Sequence, residues 1–210
     1  CALPIFILQN PSLSVEGIIH QLMLKIQNEA ELESIKQTAR PMTWENRKYT
    51  INREGPVSPM LEQEEYDIAL GGGDPKMSIV DVVDNFDAYP FIQQMIDFFG
   101  LEKVKPRLHV QRTGQVFNRH IDKLDDLYPG EPWDKIIRIA IMLEDWEPGQ
   151  FMLYGNTVYQ QWRAGDFHMH DWPNVPHATA NASEHTRITL RVTGLRSELT
   201  DPKFNVRHFN

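Results

Sequence analysis

"KIIRIAIML", Lys135 to Leu143, is the stretch whose reading decides the fold. It is a continuous apolar run, as a strand buried on both faces requires, with a single charge, Arg138, inside it. Similar short runs surround it. "RLHVQ" (107–111) alternates, and "QFMLYG" (150–155), "TVYQQW" (157–162), "DFHMH" (166–170) and "TRITLRVT" (186–193) follow. Turn residues in "EPGQ", "YGN" and "RAGD" separate them. Several short strands at close spacing predict an all-β sandwich or barrel, with a jelly-roll or cupin-like barrel as the obvious candidate.

Upstream, the pattern is helical. "SVEGIIHQLMLKIQNE" (14–29) places Val15, Ile18, Ile19, Leu22 and Ile26 at helical spacing behind Ser14 as N-cap. Ile79, Val82, Val83 and Phe86 predict a second helix, and Ile92, Met95, Ile96 and Phe99 a third, with Pro90 near the break and Gly100 as the stop. The stretch 55–75 is punctuated by Gly and Pro and reads as irregular. "ALPIFIL" (2–8) lacks a basic segment before it and is expected to be an early strand, not a targeting segment. The expectation is a mainly β, α+β chain forming one domain over 1–210. Residues 1–105 would be a helical and irregular support packed outside the barrel, 106–197 the barrel and 198–210 a tail.

Length and composition bound the function. A chain of 210 residues with 41% hydrophobic and 24% charged residues suits one soluble domain with a real core. The net charge of −8 argues against broad binding to a phosphate backbone, so a nucleic-acid partner is not expected. No apolar run reaches the length of a membrane-spanning helix, so no membrane partner is expected either. Cys1 is the single cysteine, which excludes an internal disulfide, thiolate metal clusters and cysteine catalysis, and fits a reducing, cytoplasmic setting.

Chemistry enters with "FNRHIDKLDD" (117–126). In a strand, residues two apart share a face, so His120 and Asp122 point to one place. With one more imidazole they form the 2-His-1-carboxylate triad of non-haem Fe(II) sites. His109, His168, His170, His177, His185 and His208 are the candidates, and "WPNVPHATANASEHTRITLRVTG" (172–194) favours His177. If 177–181 and 185–193 form a hairpin around Ala182, His177 lies opposite Arg187. Thr189 and Arg191 share the face of Arg187, while Ile188, Leu190 and Val192 point away. A guanidinium facing into a barrel needs an anion, and the far carboxylate of a dicarboxylate cosubstrate supplies one.

"HID" at 120–122, "PH" at 176–177 and "RIT" at 187–189 together resemble the Fe(II)/2-oxoglutarate-dependent oxygenase superfamily. That family's pattern is His-x-Asp/Glu, a distal His fifty or more residues on, and Arg-x-Ser/Thr about ten residues later. The match spans roughly 106–195. "GDFHMHDWPNVPHATAN" (165–181) is also similar to the aspartyl/asparaginyl β-hydroxylase-like branch. The resemblance implies a double-stranded β-helix with His120, Asp122 and His177 as Fe(II) ligands. It implies that Arg187 and Thr189 hold the distal carboxylate of 2-oxoglutarate. It also implies an O2-dependent hydroxylation coupled to decarboxylation of 2-oxoglutarate to succinate. The substrate would be an amino acid, an amino-acid derivative or a residue in a peptide. Asp122 argues against the halogenating branch, where a small residue frees that position for chloride.

Other readings compete at each position. His120 and Asp122 could be a polar surface loop, His177 a core histidine bonded to backbone, and Arg187 a structural ion-pair partner. "HMH" (168–170) resembles the His-x-His pair of cupins, but Asp171 and Trp172 follow it where a cupin would place a Glu. Either His168 or His170 is expected at the mouth of the site or paired with Asp166. Arg138 either pairs with an internal acid or binds a carboxylate of substrate or cosubstrate. Gln111, Tyr154, Trp172 and His170 are candidate pocket residues that could equally be packing, and Trp146 and Trp162 share that ambiguity. Lys123, Asp125 and Asp126 read as solvated loop. The competing functions are a metal-dependent cupin, isomerase or dioxygenase, that does not use 2-oxoglutarate, and a barrel that binds without catalysis.

Overall fold

The computed structural model of the chain describes residues 6–7, 29–43, 78–122, 124 and 127–200. The helix expected over 14–29, apart from Glu29, the irregular stretch 55–75, Lys123, Asp125, Asp126 and the tail beyond Thr200 lie outside the described residues. The described elements are β1 (Phe6–Ile7), α1 (Glu29–Thr38), β2 (Arg40–Thr43), β3 (Ser78–Val83) and α2 (Pro90–Phe98). Then come β4 (Glu102–Gln111), β5 (Val116–His120), β6 (Ile136–Met142), β7 (Gln150–Tyr154), β8 (Thr157–Tyr159), β9 (Phe167–Met169), β10 (His177–Asn181) and β11 (Arg187–Leu195). Among these residues, no helix is long and apolar enough to cross a membrane.

Two antiparallel sheets face each other. One runs β1-β9-β6-β11-β4-β3-β2 and the other β5-β10-β7-β8. From β4 onward the chain crosses repeatedly between them, sending β4, β6, β9 and β11 to the larger sheet and β5, β7, β8 and β10 to the smaller. That interleaving is a jelly roll, a double-stranded β-helix.

The strand alternation sorts the side chains into two layers. Ile137, Ile139 and Ile141 of β6 and Ile188, Leu190 and Val192 of β11 form one cluster with Ile35 of α1, Ile92, Met95 and Ile96 of α2, and Phe99. The two helices therefore cover the outer face of the larger sheet. Each such side chain removed from water contributes roughly 1.5–3 kcal/mol. The opposite face of the same strands looks into the space between the sheets, and there β11 presents Arg187, Thr189 and Arg191. A hydrophobic outer layer thus carries a polar interior. Helix α2 starts with Pro90 in its first turn and ends before Gly100, whose φ of +62° suits glycine. A Cβ on Gly100 would lie 2.8 Å from that of Leu199.

Three expectations are corrected. Residues 78–83 are a strand, not a helix: Ile79, Val80, Val82 and Val83 are β-branched, and the segment pairs with both β2 and β4. Pro90 accordingly opens one helix and separates no pair of helices. Strands also precede residue 106: β2, β3 and the start of β4 fall in the stretch read as helical and irregular support. Finally, β10 and β11 form no hairpin, because β10 pairs with β5 and β7 while β11 pairs with β4 and β6. The connection crosses between sheets, secured by Asn181 Nδ2 donating to the His185 carbonyl at 2.7 Å and by Ser183 Oγ donating to Asn181 Oδ1 at 2.7 Å.

Candidate metal centre

Register brings the site together. On β10, His177 is flanked by His120 of β5 on one side and Tyr154 of β7 on the other. The imidazole rings of His120 and His177 lie 4.3 Å apart, centroid to centroid. Asp122, in the loop leaving β5, is 2% exposed. Its Oδ1 is 3.7 Å from His120 Nε2 and its Oδ2 is 3.5 Å from His177 Nε2. One donor atom from each of the three residues lies within 4.8 Å of the others. His177 therefore reaches the site without the hairpin predicted for it.

The donor set fits a divalent metal. His120 Nδ1 is 2.7 Å from the Asn118 carbonyl. A carbonyl only accepts, so a proton sits on Nδ1, and in the neutral ring the Nε2 lone pair is free for a metal, as backing groups arrange at histidine–metal sites. Burial, then the neighbouring His120, pulls His177 well below the ordinary histidine range, which keeps it neutral. Burial pushes the Asp122 carboxyl up, but Arg138, His177 and His120 outweigh it and hold the carboxyl well below its usual range. Two imidazoles and one carboxylate are the donor set a first-row divalent ion selects.

Arg138 pairs with an internal acid, its Nε 3.3 Å from Asp122 Oδ2. His170 belongs to the same centre. Its ring packs 4.5 Å from that of His177, and its Nε2 lies 3.9 Å from Asp122 Oδ2 without a hydrogen-bond partner. Burial, opposed by the Asp122 charge, pulls His170 down to about 3. His168 meets the Tyr154 hydroxyl, not Asp166, whose carboxylate accepts from Arg163 N at 2.8 Å. Burial, then Arg191, pulls His168 well below the ordinary range.

These histidines give a pH prediction for the metal-free protein. His168 and His170 stay neutral in the fold and take up protons when unfolded below about pH 6.5. The unfolded state then binds more protons, so stability falls as pH falls. About 2 kcal/mol per histidine is expected to be lost between about pH 7 and pH 5. Urea unfolding at the two pH values reads this, and equal or greater stability at the lower pH would contradict it.

Arg187 is buried, and its partner on β4 is Gln111. Its guanidinium donates to Gln111 Oε1 and, at 3.1 Å, to the Phe151 carbonyl. The Trp162 ring lies 5.6 Å from it. Among the described residues no carboxylate comes within ion-pair distance of Arg187. Burial, then the charge of Arg191, pulls it down to about 9. Gln111, His120, Arg138, His177, Arg187 and Thr189 line one cavity between the sheets. Tyr154 touches the rings of His170 and His177 at 4.8 and 5.9 Å.

Trp172 sits elsewhere. It packs with Leu124, Tyr128, Ile136 and Leu195, and its indole donates to the Ile136 carbonyl at 2.9 Å. Nearness to His177 in sequence was the wrong guide, because the 171–176 turn carries its ring into that separate cluster. Trp146 likewise donates to the Gln150 carbonyl at 2.7 Å. His109, read from the sequence only as a possible third ligand, lines the cavity wall, as do Val80, Phe117, Met152 and Thr179, which sequence reasoning did not single out. Strand alternation with Gln111 was the available signal for His109.

No protein-family model and no curated protein matches the chain. Among solved structures it is similar to the non-haem α-ketoglutarate-dependent epimerase SnoN from nogalamycin biosynthesis, at 13% identity over 79% of this chain and 83% of that one, TM-score 0.45. It is similar to plu4264 from Photorhabdus luminescens at 12% identity, over 73% of this chain and 92% of that one, TM-score 0.36. A cupin 2 conserved barrel domain protein from Salinispora arenicola is 14% identical over 48% of this chain and 69% of that one, TM-score 0.31.

Proposed function

We propose that the protein is an Fe(II)- and 2-oxoglutarate-dependent oxygenase, a hydroxylase of an amino acid, an amino-acid derivative or a residue in a peptide. One observation carries the reading. The two histidines of a two-histidine, one-carboxylate cluster line the same cavity as a buried arginine that has no carboxylate partner among the described residues.

His120, Asp122 and His177 would hold the iron, which supplies the capacity to activate O2. The balance is 2-oxoglutarate, O2 and a substrate C–H giving succinate, CO2 and a C–OH. The chain's part is binding and orientation. Arg187, fixed by Gln111 and the Phe151 carbonyl and covered by Trp162, presents a preorganised guanidinium to the distal carboxylate. Thr189, two residues along the same face, adds a hydroxyl. Val80, Phe117 and Met152 give the cavity apolar walls that limit water.

The test is conversion of 2-oxoglutarate to succinate by protein supplied with Fe(II). Succinate is expected in air and not under argon. Failure to bind 2-oxoglutarate, together with no turnover over a panel of amino acids and peptides, would sink the reading. The position of His170 supports a second one, a metal-dependent cupin with four protein donors and no cosubstrate. In that case His170→Ala weakens metal binding as strongly as His177→Ala does.

A further inference from the structure

Two cavities meet at the metal centre. The inner one holds Arg187 and Thr189 and is bordered by His120 and His177. The outer one is walled by Met42, Pro106, Leu124 and Leu127, with Asp122 on its inner side and Lys105 and Thr193 beside it. His109, Arg138 and Arg191 border both.

Arg191 stands out among the cations there. Arg107 is 2.6 Å from Asp84, Arg138 is 3.3 Å from Asp122, and the Lys105 ammonium donates to the Leu127 carbonyl at 2.6 Å. Arg191 is 4% exposed, and its Nε and Nη1 have no hydrogen-bond partner. The Tyr154 hydroxyl lies beside it, and among the described residues no carboxylate comes within ion-pair distance. A buried guanidinium in that state is costly unless an anion arrives to meet it.

The oxygenase reading already assigns the cosubstrate's distal carboxylate to Arg187. Arg191 lies four residues beyond Arg187 on β11, about 13 Å along the strand. Charge points the same way. Lys105, Arg138, Arg187, Arg191 and a divalent metal bring six positive charges to the two cavities, with Arg107 on the outer wall already paired to Asp84. Asp122, the one carboxylate among their described lining residues, and the two carboxylates of 2-oxoglutarate offset three of them. Three positive charges remain, on the side of the outer cavity.

We propose that Arg191 anchors a carboxylate of the substrate, and that the substrate is a net-negative organic acid whose apolar body packs against Met42, Pro106, Leu124 and Leu127. The proposal rests on the oxygenase reading for the position of the reacting centre. It narrows that reading to anionic amino-acid derivatives, acidic peptides or simple organic acids, and disfavours cationic substrates.

The test uses isosteric probe pairs: N-acetyl-leucine against N-acetyl-leucinamide, and benzoate against benzamide. Each is titrated calorimetrically into protein loaded with Mn(II) and 2-oxoglutarate. Wild type is expected to favour the carboxylate of each pair by about 30-fold. Arg191→Met is expected to lose that preference while holding Mn(II) and 2-oxoglutarate, which also shows that the variant is folded. Arg191→Lys keeps the charge but not the fork and is expected to retain part of the preference. No preference in wild type, or an undiminished one in Arg191→Met, overturns the proposal. So does a fall in 2-oxoglutarate affinity in Arg191→Met with none in Arg187→Met, which would make Arg191 the cosubstrate anchor. If wild type binds no 2-oxoglutarate at all, the oxygenase reading fails. A carboxylate preference lost in Arg191→Met, measured with Mn(II) alone, would still support Arg191 as an anion anchor.

Discussion

Replacing His177 with alanine is expected to abolish Fe(II)-dependent turnover and to weaken metal binding by more than about 100-fold, beyond the loss typical of a supporting residue. His177 sits at the middle of the site, between His120 and Tyr154 on neighbouring strands, with Nε2 directed at Asp122. Removing it leaves one imidazole and one carboxylate, too few donors to hold iron against water. The ring is buried and held neutral, so its loss deletes no charge from the core. Circular dichroism is expected to show a folded variant, and equilibrium dialysis with Fe(II) under argon reads the affinity. His170→Ala is the matched control, since its ring lies 4.5 Å away in the same buried cluster. It is expected to keep the metal. If His170→Ala loses iron and His177→Ala keeps it, the ligand assignment is wrong.

Arg187→Met is expected to raise the Kd for 2-oxoglutarate by about 100-fold, the scale on which a buried charge partner is truncated. Fe(II) affinity is expected to stay within about threefold, because Arg187 bonds to Gln111 and the Phe151 carbonyl and to none of the three proposed ligands. Arg187→Lys is expected to recover little, since an ammonium cannot present two parallel donors to a carboxylate. Calorimetric titration with Mn(II) present separates the two affinities. Equal loss of both would make Arg187 a structural arginine and remove the strongest support for a dicarboxylate cosubstrate.

Much of this is legible in the sequence. The apolar run at 136–142, interrupted only by Arg138, and the alternation of Arg187, Thr189 and Arg191 against Ile188, Leu190 and Val192 encode the two faces of the central strands directly. They do so because side-chain direction in a strand depends only on parity. The ordered set His120, Asp122, His177 also needed only spacing. What was hidden depended on partners. Ile79, Val82 and Val83 fit a helical stripe, and only the neighbouring strands β2 and β4 decide that 78–83 is extended. The 177–181 and 187–195 strands look like a hairpin because the chain does not record which sheet each joins. Trp162, which covers Arg187, and Trp172, which covers Ile136, could not be told apart, because indoles reveal nothing of their neighbours. Arg138 admits two roles by sequence, and only the nearness of Asp122 in the fold decides between them.

The most direct test needs no substrate. Fe(II) and then 2-oxoglutarate are added to the protein under argon, and the visible spectrum is recorded. The account predicts a metal-to-ligand charge-transfer band that grows to one equivalent of 2-oxoglutarate, is absent in His177→Ala, and needs far more 2-oxoglutarate in Arg187→Met. A spectrum that 2-oxoglutarate leaves unchanged in the iron-loaded wild type would contradict it.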